Sequence, residues 1–203
     1  MAEERIFFPS EGLRIEGLLE EGAGEKAVVI THPHPLYGGD MHNNVVEAMT
    51  AAYRKAGYTT LRFNFRGVGQ SEGQYGEGIG EQKDVEAALA FLRAKGGIDL
   101  AGYSFGAWVI GLGLERYDSA ERVIMVSPPV TFIDFSSLGY DPRIRLVIAG
   151  SHDEFGRPDM IQEMVMKWNP EAILETIQGA DHFYWGKTGE VQEIIGRFLE
   201  KEG

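Results

Sequence analysis

Short apolar runs alternate with amphipathic stretches along most of this chain. Lys26–Thr31 is six residues of mainly β-branched and small apolar character, and Gly and Pro flank it on either side, the mark of a buried strand. Tyr58–Phe65, Ile98–Tyr103, Arg122–Val126, Arg143–Ala149 and Ala172–Ile177 repeat the pattern. The stretches between them switch to helical spacing. Val45, Met49 and Ala52 fall on one face of a helix running to about Lys55, with Asn43 or Asn44 as its cap and Gly57 as its stop. Val85, Ala88, Leu89 and Leu92 do the same within Glu81–Lys95, which Gly96-Gly97 ends. Further helices are predicted from the turn at Ser104 to about Tyr117, over Pro158–Trp168 and over Glu190–Glu200. Ahead of all this, Arg5–Phe8 and Leu13–Leu19 read as two antiparallel strands joined by Pro9-Ser10-Glu11-Gly12.

Strand and helix alternating from residue 26 onward imply an α/β fold: a mostly parallel sheet of about seven or eight strands with helices on both faces. At 203 residues, without repeats or a linker-like stretch, the chain is expected to form one domain, 1–203. Ligands in such folds gather at the carboxyl ends of the strands. The reactive side chains sit where that rule puts them: His32 and His34 after one strand, Arg66 after the next, then Ser104, Asp153 and His182.

Gly102-Tyr103-Ser104-Phe105-Gly106 joins an apolar run to an apolar helix. It fits the strand–turn–helix elbow that exposes a nucleophilic serine. The pattern is expected about 0.14 times by chance at this glycine and serine content, so context must decide. A second copy, Gly69-Gln70-Ser71-Glu72-Gly73, lies among glycines with no strand before it and no helix directly after, and reads as loop.

Composition narrows the chemistry. The chain is 43% hydrophobic and 25% charged, ordinary for a globular protein. A net charge of −12 disfavours nucleic acid and anionic membranes, which call for a basic face. With no cysteine there is no disulfide, thiol nucleophile or thiolate metal site. The acidic start carries no signal-peptide pattern, and no segment reaches the roughly 18 apolar residues of a membrane helix, so a cytoplasmic location is expected. His32-x-His34 points opposite ways on an extended chain and has no third ligand at motif spacing, so no metal or other cofactor is expected.

The elbow, the histidine-containing loop at 32–39, the Arg66-Gly67-x-Gly69-x-Ser71 loop, the Gly150-x-x-Asp153 turn and the Gly179-x-x-His182 turn together resemble the α/β-hydrolase superfamily over nearly the whole chain, most of all its small lidless serine hydrolases. The order nucleophile, acid, base matches that superfamily. The resemblance implies Ser104 as nucleophile, His182 as general base and then acid, and Asp153 as the group that orients His182. Asp134 and Glu154 rival Asp153 for the acid, whereas Asp181, adjacent to His182, reaches its ring poorly. An oxyanion hole would use the Phe105 amide and one from the 32–37 loop. Pro33 and Pro35 have no N–H, which leaves His34, Leu36 or Tyr37, and resemblance to related loops selects Leu36 with His34 second.

Arg66 is expected to pair within the fold. Tyr103, Trp108, Trp185 and Met41 are candidates for an acyl pocket or for core. The stretch from Ser127 to Arg143 is too short and too rich in Pro and Gly for a lid, which implies an open cleft. The expected activity is hydrolysis of a small or extended carboxylic ester or thioester substrate. Alternatives are a peptidase, lyase or acyltransferase on the same triad, or a non-catalytic interaction protein. The sequence leaves the oligomeric state open.

Overall fold

The apolar runs pair into one eight-stranded sheet in a computed structural model that describes residues 3–202. Its strands are β1 (Glu4–Ser10), β2 (Leu13–Glu20), β3 (Lys26–Thr31), β4 (Thr59–Phe63), β5 (Gly97–Tyr103), β6 (Ala120–Val126), β7 (Ile144–Gly150) and β8 (Ile173–Ile177). They lie in the order β1-β2-β4-β3-β5-β6-β7-β8. The β1–β2 hairpin joins β4 antiparallel, and every pairing from β4 through β8 is parallel.

Period-two alternation splits the core into two halves. Val28, Ile30, Ala101, Tyr103, Ile124 and Val126 face α1 (Asn44–Lys55) and α5 (Thr188–Glu202), which pack against each other. Ala27, Val29, Leu100, Val123 and Met125 face the other side, where α2 (Ile79–Phe91), α3 (Phe105–Gly113) and α4 (Pro158–Trp168) pack. Strands covered on both faces are largely apolar, which is why β3 reads as a continuous run and β5 is broken only by Asp99, buried and paired with Arg122 at 2.8 Å.

Asn43 proves to be the α1 cap, its Oδ1 accepting from the Val45 N–H at 2.9 Å. Differences from the sequence expectation are local. α2 begins two residues early and stops at Phe91, not Lys95. Its start has no Ser, Thr, Asp or Asn cap. The buried Glu81 carboxylate instead accepts the N–H groups of Gly76 and Gly78, both at 2.8 Å. α3 gives way at Leu114 to a single 3-10 turn, and Pro35–Tyr37 forms another such turn inside the expected 32–39 loop. β4 ends at Phe63: the Asn64 N–H still donates to Glu16 O of β2, but the Phe65 N–H turns to His32 Nε2. Residues 127–143 contain neither helix nor strand. No helix among the described residues is long and apolar enough to cross a membrane.

Candidate active site

Ser104 stands at the turn from β5 into α3 with φ 54° and ψ −118°. A non-glycine residue there costs on the order of 1–3 kcal/mol, so the surroundings must hold it. They do so through the backbone. The Ser104 N–H donates to Val126 O at 2.9 Å, and the Ser104 carbonyl accepts from Ala107 and Trp108. The flanking glycines are set by space. A Cβ on Gly102 would lie 2.7 Å from Ala107 N, and one on Gly106 would lie 2.8 Å from the carbonyl oxygens of Thr31 and His32. Only glycine lets α3 fold back this closely on β5 and β3.

The turns after β7 and β8 bring the other two groups to the same edge. Ser104 Oγ lies 2.9 Å from His182 Nε2. His182 Nδ1 lies 2.9 Å from Asp153 Oδ2 and 3.0 Å from Oδ1. Asp153 also accepts from the Phe155 and Gly156 amides at 2.9 and 2.8 Å. Burial works to raise its pKa, but the hydrogen bond and charge interaction with His182, joined by hydrogen bonds from Ser127 and the Gly156 amide, outweigh it, and the carboxyl ends below its ordinary value. An ionised carboxylate only accepts, so His182 Nδ1 carries the proton and the Nε2 lone pair faces the Ser104 hydroxyl. Serine, imidazole and carboxylate are all buried.

Further side chains fix the His182 turn, among them Tyr103, which the sequence offered only as pocket or core. Tyr103 Oη donates to His182 O at 2.7 Å, and Ser127 Oγ and Tyr184 Oη are 2.7 Å apart beneath it. Gly150 leaves room for the same turn, since a Cβ there would meet Ala180 O at 2.5 Å.

The 32–39 loop is locked by its two histidines. His32 is fully buried. Its Nδ1 lies 2.7 Å from Pro33 O, and its Nε2 accepts the Phe65 N–H at 3.0 Å. Burial pushes its pKa down to about 4, so the ring is neutral. His34 Nδ1 accepts the Leu36 N–H at 3.2 Å, which puts the ring proton on Nε2, 3.3 Å from Tyr75 Oη. Burial lowers the His34 pKa as well. For Leu36, expected to supply the second amide, this arrangement leaves the N–H donating to His34 and the side chain exposed, outside the cleft. The Tyr37 amide is taken by His34 O. The His34 amide alone of the three has no partner among the described residues, and His34 lines the cleft with Ser104 and Phe105. Phe105 is the first residue of α3, where the helix supplies no acceptor for its N–H.

The remaining candidates separate cleanly. Asp134 is exposed and bonds Ser136, away from His182, and Glu154 is exposed. Arg66 pairs with the buried Asp84 at 2.9 Å and with Glu11. Ser71 donates to Asn64 O and accepts from the Glu16 amide, tying its loop to β2. Of the four acyl-pocket candidates only Tyr103 lines the cleft. Met41 is core, Trp108 packs on Gly78 and donates to Asp134 O, and Trp185 is exposed. Among the described residues, no three His, Asp or Glu side chains cluster as a metal site would need.

Residues 28–185 match the model of the alpha/beta hydrolase family. The chain belongs to that family. This alpha/beta hydrolase is 35% identical to an uncharacterised protein of Rickettsia prowazekii, the alignment covering 96% of this chain and 88% of that one. It superposes on a structure described as an alpha-beta serine hydrolase homologue from Coxiella burnetii with a TM-score of 0.90, at 32% identity and 98% coverage of both chains. A Xanthomonas campestris structure described as an α/β serine hydrolase without lid gives a TM-score of 0.91 at 26% identity, over 99% of this chain and 95% of that one.

Among the described residues of the hydrolase, the 127–143 connection likewise forms no lid over the cleft. The cleft encloses about 470 Å³. Beyond Ser104 and His182, Pro129, Ile133, Phe155, Phe183, Tyr37 and Asn43 line it, with no Lys, Arg, Asp or Glu among the lining residues.

Proposed function

We propose that this alpha/beta hydrolase cleaves carboxylic ester or thioester bonds of a small or extended substrate through an acyl-enzyme on Ser104. The observation that carries the reading is the Ser104 Oγ–His182 Nε2 contact of 2.9 Å backed by the buried Asp153. In this reading Ser104 Oγ attacks the substrate carbonyl while His182 Nε2 takes its proton. The Asp153 carboxylate stabilises the imidazolium that results. The developing oxyanion meets the amides of Phe105 and His34, with the α3 N-terminus adding its positive end. His182 then hands the proton to the leaving oxygen or sulfur. Water, deprotonated by the same nitrogen, attacks the acyl-enzyme and releases the acid and free Ser104.

His34 takes the place that sequence reasoning gave to Leu36 because its N–H is unpaired and belongs to a cleft residue. Pro33 and Pro35 stiffen the backbone on either side, so the donor needs little reorganisation when charge develops. The test is incubation with a fluorophosphonate and with a short-chain chromogenic ester. The expected result is labelling at Ser104, and turnover that Ser104→Ala reduces by at least ~10⁴-fold. An unlabelled, inactive protein would overturn the reading.

A further inference from the structure

Phe132 carries an exposed aromatic face that the steps above do not use. It is 67% exposed, yet its ring is stacked on Phe155, centroids 4.7 Å apart and planes 29° from parallel. Backbone bonds fix the pair: the Thr131 N–H donates to Phe155 O and the Phe132 N–H to Pro129 O, both at 3.0 Å. Phe155 in turn lies against the His182 ring, centroids 4.7 Å apart at 33°, and Phe183 meets Phe155 edge-on at 6.2 Å. The result is an apolar shelf running outward from the imidazole.

We infer that this shelf, Phe132 on Phe155 beside His182, binds the leaving-group side of the substrate and selects an uncharged, flat apolar alcohol (or thiol). The side follows from the chemistry. The carbonyl oxygen must face the Phe105 and His34 amides, and the leaving atom must come within hydrogen-bond reach of His182 Nε2 to receive its proton. A group attached to that atom leaves the imidazole past Phe155, which lines the cleft, toward Phe132 at its outer rim. Flatness follows from the stack: Phe155 lies between His182 and Phe132, so the three rings present a row of edges, and ring edges favour the flat face of an aromatic partner. Neutrality follows from a cleft lined by no charged side chain, which leaves a buried charge on the substrate without a partner. The inference rests on the ester-hydrolase reading above.

Two ester series test it. In the first, acetate esters of ethanol, cyclohexylmethanol, benzyl alcohol and 2-naphthylmethanol vary the alcohol. In the second, ethyl esters of acetic, cyclohexylacetic, phenylacetic and 2-naphthylacetic acids vary the acyl group. kcat/KM is expected to rise about tenfold from ethyl to 2-naphthylmethyl acetate, mostly through KM, with the cyclohexyl ester in between. Phe132→Ala is expected to remove most of that ratio, and Phe132→Leu to leave the aromatic and cyclohexyl esters equal. Phe132 is exposed, so neither variant threatens the core. A ratio unchanged in Phe132→Ala, or a preference confined to the acyl series, overturns the inference while the ester-hydrolase reading stands. Failure of every ester together with no labelling of Ser104 overturns both.

Discussion

Asp153 and Asp134 are separated by what surrounds them. Asp153 accepts from His182 Nδ1 and two backbone amides and is buried, whereas Asp134 bonds only Ser136 at the surface. Asp153→Asn is therefore expected to lower kcat by on the order of 10⁴, because an amide can present a donor to Nδ1 and reverse the tautomer. Asp134→Asn should remain within about twofold of the parent, and steady-state kinetics on one chromogenic ester compares them. His32 gives a stability prediction. Its pKa falls from the usual 6.5 to about 4 on burial. Between those values the unfolded chain binds a proton that the folded one refuses, so stability is full above pH 6.5 and drains as pH drops toward 4. The loss amounts to about 3 kcal/mol. His32→Gln should be less stable at pH 7 but show a shallower fall, by about one proton, in urea midpoints taken from pH 7.5 to 4. That Ser104, Asp153 and His182 would meet at one sheet edge was legible in the sequence, because each follows an apolar run and sits in a glycine-marked turn. Leu36 and His34 were not separable in the sequence, for a local reason. Which amide stays free depends on the His34 ring folding back to capture the Leu36 N–H, and residue type does not reveal that.

At the scale of elements, the approach of α3 to β3 governs the site. Gly106 sits where a Cβ would be 2.5 Å from Thr31 Oγ1 and 2.8 Å from two carbonyl oxygens at the β3 end, the strand that leads into the His32–His34 loop. Gly106→Ala is expected to cost about 2 kcal/mol in urea denaturation, since backbone rather than a flexible side chain must give way. It should also lower kcat more than it changes KM, because α3 carries the Phe105 amide and β3 leads to that of His34. Most elements were legible from periodicity, since two-sided burial leaves continuous apolar strands and one-sided burial leaves helical stripes. The start of α2 was hidden. Its cap is Glu81, inside the helix, reaching back to glycine amides, so no Ser, Thr, Asp or Asn marks the boundary. Trp108 and Met41 were equally opaque, because whether a large apolar side chain faces a cleft or the core depends on what packs over it.

At the scale of the molecule, the short 127–143 connection leaves the cleft uncovered. Turnover of a sparingly soluble ester should therefore follow the dissolved concentration smoothly, with no jump where droplets form, because no cover has to be displaced at an interface. Titrating one ester through its solubility limit measures this. The fold class and the missing lid were readable from element order and from the length of that one connection. The aromatic shelf was not, since Phe132 and Phe155 meet only after β6 and β7 have paired. The spread of the reactive groups over different strands also bears on time. Ser104 and His182 are 78 positions apart and His182 and Asp153 are 29, and each reaches the common edge only when β5, β7 and β8 have joined one sheet. Contacts this distant form late in folding. A chain emerging from synthesis or recovering from denaturant therefore stays chemically silent until its topology is complete. Regained hydrolysis would be the last signal of refolding to appear, after helical circular dichroism and tryptophan fluorescence have levelled off.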